Sequence, residues 1–316
     1  MLSTENQTEE GAKIFSHEKH WREEFPNVGS FITENRILVN ETLDRLLPPT
    51  EEDPKITHQA MRHTVLGAGH RWRPLLLLAL GEYLGCPKNR LLKAAAAMEL
   101  IHCYILIIDD IVDHASIRRG KKTCHEKYGL GIATYAAHML SDLSVALCCQ
   151  DAKTAEIPCE IIVSEFAKLR KTMILGQELE CDLNRRTIPI TRENIEFQYV
   201  CKSGVLFAFV ARLAGLLSGA TSDQLRKLDQ FGTNLGISYQ VQDDLFDLEG
   251  DPQVMGKAAG MDRGKINFVM HYGAEKSRSL GENFLKQALD HLEGGGLPHK
   301  LPFLKDLSSV ISGFRI

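Results

Sequence analysis

The chain has 316 residues, of which 44% are hydrophobic and 25% charged, with a formal net charge of −4. That is enough apolar material for one large core or two smaller ones, in an ordinary globular composition. The acidic balance excludes a general nucleic-acid footprint, so any phosphate-bearing ligand must be met by local basic groups or by metal. The eight cysteines form no CxxC pair and sit mostly in apolar runs. This is the pattern of reduced thiols in a cytoplasmic protein, not of a disulfide framework or a zinc site.

Residues 1–27 are polar and acidic, without the apolar core of a signal peptide, and read as a flexible tail ahead of a single domain over 28–316. Apolar spacing predicts helices over 31–47, stopped by Pro48-Pro49, and over 55–66. A glycine-bearing basic turn follows, Gly67-Ala68-Gly69-His70-Arg71-Trp72-Arg73-Pro74, whose two arginines are placed to grip an anion. After an apolar helix over 75–83, Gly85, Pro87 and Asn89 lead into a central helix over 91–114. Its most apolar stretch, 94–108, is too short for a bilayer, and no membrane span is expected.

That helix runs into Asp109, Asp110 and Asp113, followed at once by Arg118, Arg119 and Lys121. Asp109 and Asp113 share a face, and His102 and Leu106 fall on it too. Three like charges on one turn repel, and Mg²⁺ held jointly with substrate phosphates relieves the repulsion. A solvated helix end offers the same residues, and His102 is equally at home as a core histidine. The second copy, Asp243, Asp244 and Asp247 after Gln240, repeats the DDxxD spacing and raises the weight of the metal reading. Between the two motifs, helical segments cover 132–151 and 161–183. A further helix opens at Pro189 and Thr191 and runs through Lys202-Ser203-Gly204 to 217, and Ser222 caps another. Strand alternation, Walker loops, HExxH and Ser–His–Asp signatures are missing from the sequence. The expected architecture is all-α: a single large helical bundle around a central active-site cavity.

The first motif with its Arg118-Arg119-Gly120-Lys121 continuation, Gly176-Gln177, Lys202-Ser203, the Gln240-led second motif and Gly256-Lys257 occur in one order. In that order they resemble the trans (all-E) polyprenyl diphosphate synthases of the geranylgeranyl or farnesyl type, from the helix before Gly67 to the end of the chain. The resemblance implies the isoprenoid-synthase bundle, usually as a homodimer. It also implies Mg²⁺-dependent condensation of isopentenyl diphosphate with an allylic diphosphate, using about three ions per site. Asp109, Asp110, Asp113 and Asp243 would hold metal, with Asp244 and Asp247 in support. Arg118, Lys202, Ser203, Gln240 and Lys257 would hold the allylic diphosphate, and His70, Arg73, His102 and Arg119 isopentenyl diphosphate. Tyr104 and Ile105, just before the first motif, would set product length, although Tyr104 serves a core equally well. A bulky residue there favours a geranylgeranyl-sized product, with farnesyl next.

Four residues at three places depart from the pattern. His70 replaces a lysine and is shorter and less fully charged at neutral pH; Ala137-His138 replaces Gly-Asp; Glu180 replaces aspartate. The altered isopentenyl side admits a terpene cyclase that ionises an allylic diphosphate without elongating it. A non-catalytic regulatory subunit is the reading from another class, opposed by the complete aspartate motifs.

Overall fold

In a computed structural model, residues 22–249, 265–293 and 301–314 are described. The helices are α1 (Pro26–Leu46), α2 (Lys55–Val65), α3 (Trp72–Tyr83), α4 (Leu92–Val112), α5 (Cys124–Tyr128), α6 (Leu130–Thr154), α7 (Cys159–Arg185) and α8 (Arg192–Tyr199). A π-helical turn, Val200–Gly204, leads into α9 (Val205–Leu217), followed by α10 (Ser222–Glu249), α11 (Phe268–Tyr272), α12 (Ala274–Glu293) and α13 (Leu301–Ser312). The only strands among the described residues, β1 (Ile117–Arg118) and β2 (Lys121–Lys122), pair antiparallel with Ile117 opposite Lys122. The all-α expectation holds, and α1 begins inside the stretch read as a tail.

Packing divides the described chain into two compact units, one of residues 22–75 and 92–150, the other of 76–91, 151–249, 265–293 and 301–314. In the first, α1 begins with Pro26 at its first turn, where a missing N–H costs nothing. It buries Val28, Ile32, Val39 and Leu43 on one stripe. Arg62 of α2 then donates to the carbonyls of Asp44 and Leu47, at 3.2 and 3.3 Å, satisfying groups that the end of α1 leaves open. Helix α4 buries Ala94–Ala97, Leu100, Ile101, Cys103 and Ile107. It ends on His114 in the left-handed conformation (φ 52°), with the Ala115 N–H reaching back to the Asp110 carbonyl at 2.9 Å.

In the second unit α10 is the spine, packed by α9, α12, α13 and the π turn. Helix α12 buries Ser277, Gly281, Phe284, Leu285, Ala288, Leu289 and Leu292, a helical stripe facing that spine. Thr191 caps α8 by accepting from the Asn194 N–H at 3.2 Å, and Asn267 caps α11 in the same way at 2.8 Å. Phe166 of α7 meets Phe209 of α9 edge-on, with centroids 4.8 Å apart.

The expectation of no membrane span rests on 94–108 alone. By length and composition, however, α6 and the continuous Arg192–Leu217 stretch are both long and apolar enough to cross one. Their most apolar windows are 44% and 72% buried inside the protein, so helix packing already uses much of that surface.

Because Phe166 is fully enclosed, Phe166→Ala should lower unfolding free energy by about 3–5 kcal/mol, read as a denaturation midpoint. An unchanged midpoint would mean that the aromatic pair contributes nothing.

Candidate active site

The basic turn divides its two arginines between different tasks. Arg71, left-handed at φ 61°, points inward. Its guanidinium donates to Asn40 at 2.9 Å, Glu99 at 2.6 Å, and the Val65 and Gly67 carbonyls at 2.8 and 2.9 Å. The Arg71 and Glu99 side chains are only 2% and 3% exposed. Arg71 therefore holds the turn together, which corrects the expectation that both arginines grip an anion. Arg73 instead lies beside His102, its Nη1 3.3 Å from Nε2.

Arg119 reaches the same neighbourhood through its backbone. With Arg119 at φ 52° and Gly120 at φ 72°, the β1–β2 connection has the positive φ pair of a two-residue hairpin. Arg119 Nη1 donates to the Ala68 carbonyl at 2.5 Å. A Cβ on Gly69 would lie 2.7 Å from that nitrogen, so the glycine makes room for the guanidinium. Burial foremost, then Arg73, Arg119, Arg118 and Arg71, hold the His102 imidazole well below the usual histidine range. A neutral ring can accept from Arg73 while the four arginines supply the charge. His70 stacks flat on Trp72, with centroids 5.1 Å apart and planes 3° from parallel.

On α4, His102, Leu106 and Asp109 are half-buried and Asp113 is exposed, whereas Cys103, Ile107 and Asp110 are buried. Arg118 Nε donates to Asp110 Oδ1 at 2.7 Å while its side chain stays 37% exposed. Burial pushes the Asp110 carboxyl up, against the pull of Arg118. The residue assigned to metal and the residue assigned to diphosphate are thus bonded to each other. Tyr104 and Ile105 are half-buried.

The second motif repeats this division. Asp243 and Asp247 are half-buried and Asp244 is buried. Asp244 accepts from the Tyr199 hydroxyl in a short hydrogen bond and from Gln240 Nε2 at 3.0 Å. Gln240 Oε1 accepts from Ser203 Oγ at 2.6 Å. Burial, with Asp244 next, pushes the Tyr199 phenol well above its usual range, so it remains a donor. On α7, Glu180 pairs closely with Lys202 and lies 3.5 Å from Lys265. A Cβ at Gly176 would stand 2.9 Å from the backbone of Cys201 and Lys202, so the glycine lets α7 approach the π turn. Lys257 lies outside the described residues.

The donor sets suit magnesium. Asp109 with Asp113, and Asp243 with Asp247, are i, i+4 pairs of hard oxygen ligands left less buried than the aspartate between them. Among the described residues no three acidic, histidine or cysteine side chains form a ready metal cage. Magnesium takes one or two carboxylates together with water and phosphate.

Residues 54–294 match the polyprenyl synthetase family. The chain belongs to that family. By that membership it is an enzyme of the prenyltransferase class. It is 34% identical over 270 residues to the heterodimeric geranylgeranyl pyrophosphate synthase large subunit 2 of Arabidopsis thaliana, covering 81% of this chain and 69% of the relative. Other plant relatives are mitochondrial or chloroplastic synthases. Among solved structures, geranyltranstransferase of Thermotoga maritima matches with a TM-score of 0.73 and 30% identity, covering 88% of this chain and 97% of its own. Geranyltransferase of Helicobacter pylori, complexed with magnesium and isoprenyl diphosphate, matches at 0.73 and 26%, covering 90% and 96%.

Sequence reasoning missed Tyr199, the buried Arg71–Glu99 pair and the bridging place of Glu180. Tyr199 lies three residues before Lys202, a helical spacing that hints at a shared face, but its partner Asp244 is 45 residues away.

Glu99→Gln, which strands the buried Arg71 charge, should destabilise the fold by about 3–5 kcal/mol. A loss under about 1 kcal/mol in urea unfolding would mean that the backbone carbonyls suffice. The second expectation is a pH effect. Unfolded His102 takes up a proton near 6.5, but folded His102 does so only well below that. Its stabilising contribution is therefore complete above 6.5 and is lost as pH falls through that value towards the depressed one. His102→Asn should flatten the decline in stability between about pH 6.5 and 5; an equally steep decline would assign the proton to another group.

Proposed function

We propose that this protein is a Mg²⁺-dependent prenyltransferase that condenses isopentenyl diphosphate with an allylic diphosphate into a short all-trans prenyl diphosphate, of geranylgeranyl size first and farnesyl next. The observation that carries the reading is the repeated design of the two motifs. In each, the middle aspartate is buried and tied to protein donors, while the flanking pair is left less buried. Asp109, Asp113 and Asp243 would hold Mg²⁺ as the sequence leads one to expect; Asp247, half-buried, takes the ligand place expected of Asp110, which is buried against Arg118 and joins Asp244 in support. When bound, the metal neutralises charge on the diphosphate oxygens as the allylic C–O bond breaks.

The chain's own groups divide the remaining work. Lys202, Ser203 and Gln240 orient the allylic diphosphate, joined by Arg118 through the guanidinium surface it keeps exposed. Arg73, Arg119 and neutral His102 form a cationic seat for isopentenyl diphosphate. Aliphatic residues of α4 keep water from the allylic cation, and the proton lost at the end goes to the released diphosphate. The relatives' names support the geranylgeranyl assignment, and the half-buried Tyr104 and Ile105 are the residues to set that length. A homodimer in the cytoplasm completes the reading. The heterodimeric relative favours pairing with a different chain as its alternative.

The test is incubation of the purified chain with Mg²⁺, isopentenyl diphosphate and a labelled allylic diphosphate. Longer linear diphosphates are expected, with Asp109→Ala and Asp243→Ala each lowering turnover by about a hundredfold or more while folding is retained. Near-normal turnover in both variants would refute the metal assignment. A hydrocarbon formed without use of isopentenyl diphosphate would replace elongation by cyclisation, the outcome that the His70 substitution favours. Activity only on mixing with another synthase would make the chain a regulatory subunit.

A further inference from the structure

Tyr199 closes α8 just before the turn that carries Lys202 and Ser203, and it is 2% exposed. Its hydroxyl serves two elements at once, donating to Asp244 on α10 and accepting from the Phe268 N–H at the start of α11, at 3.1 Å. From Asp244 the chain of hydrogen bonds continues through Gln240 at 3.0 Å to Ser203 at 2.6 Å, and so returns to the π turn. Each oxygen of the Asp244 carboxylate thereby has a protein donor, and the carboxylate becomes a junction between three elements. Asp243 is its neighbour on α10, so whatever fixes Asp244 also fixes the phase of the helix at Asp243. The ring of Tyr199 packs on Phe268 with centroids 4.6 Å apart, a contact that phenylalanine would keep. Only the hydroxyl makes the tie.

We propose that Tyr199 is a positioning residue for the diphosphate site: through Asp244, Gln240 and Ser203 it holds the second aspartate motif in register with the Lys202 turn. The inference rests on the reading that Asp243 and Lys202 serve a magnesium-bound diphosphate. Without the tie, α10 and the π turn keep their packing but lose their mutual setting, and the ligand must then organise them itself at the expense of affinity.

The experiment compares wild type, Tyr199→Phe, Asp244→Asn, the double variant and Phe166→Leu, the last a packing lesion in the same compact unit away from the tie. Calorimetry with inorganic diphosphate and Mg²⁺ reads affinity, thermal melting reads stability, and steady-state assays separate kcat from KM. Tyr199→Phe should weaken Mg²⁺–diphosphate binding about tenfold and lower kcat. The KM for isopentenyl diphosphate should change by less than about twofold. The double variant should be no worse than Asp244→Asn alone, because both substitutions break one hydrogen bond. Phe166→Leu should melt earlier yet bind as wild type does. The proposal is overturned if Tyr199→Phe behaves like Phe166→Leu, or if the losses from Tyr199→Phe and Asp244→Asn multiply. If wild type itself binds no Mg²⁺–diphosphate, the diphosphate reading fails, and the tie is judged by melting alone. Melting losses that do not add would then keep it, and additive losses would end it.

Discussion

The cost of burying a carboxylate governs the way both aspartate motifs are built. An ionised aspartate inside a helical bundle is tolerated only with donors supplied by the protein. The three aspartates of each motif span only about 100° of the helix, and the middle one, at the edge of that arc, is the one turned inward. In α4 that residue is Asp110, met by Arg118 from the hairpin; in α10 it is Asp244, met by Tyr199 and Gln240. The inward aspartate thus brings a basic or hydroxyl-bearing neighbour to a fixed place. The two that stay less buried are the pair that the proposed cation would meet.

The cationic side obeys the same rule in reverse. Arg71 is buried because Glu99 and the Val65 and Gly67 carbonyls meet it, and in that position it shapes the turn that presents Arg73. Arg119 is held on the Ala68 carbonyl by a hairpin whose residue 119 takes a left-handed backbone. Burial first, and the guanidinium groups beside it second, hold the His102 imidazole well below the usual histidine range. Charge placed for structure thereby adds to burial in keeping a proton off that ring.

The helices were readable because their signals are local: prolines at Pro48 and Pro49, the Thr191 cap, and apolar spacing through α4 and α10. So were the carboxylates, since i and i+4 share a face in any helix. What the sequence does not display are partners brought together by folding. Arg119 and Ala68 are 51 residues apart, Arg71 and Glu99 28, and Glu180 and Lys202 22. Two local irregularities were also hidden. The hairpin at Arg118–Lys121 needs positive φ at an arginine, which propensity disfavours. The π turn at Val200–Gly204 sits inside what periodicity reads as one continuous helix. Both irregularities carry residues assigned to substrate, in keeping with the tendency of local strain to gather at functional sites.

Glu180 shows how a departure from the family pattern can be consistent with its surroundings. A lysine drawn into the protein needs a counter-charge. Here one carboxylate, 9% exposed, lies against both Lys202 and Lys265. Glutamate carries one more methylene than aspartate, which extends its reach across two ammonium groups while its backbone stays on α7. Close approach of α7 to the π turn is possible because Gly176 lacks a side chain. An arriving diphosphate would have to compete with Glu180 for the two lysines, so its binding energy is the difference between two strong pairings and not the sum of new ones. In such a site the placement of Lys202, more than its charge, sets the advantage of the phosphate. The lysine turn is therefore where loose geometry would be felt first, and it is there that the hydrogen bonds from Tyr199 through Asp244 and Gln240 to Ser203 converge.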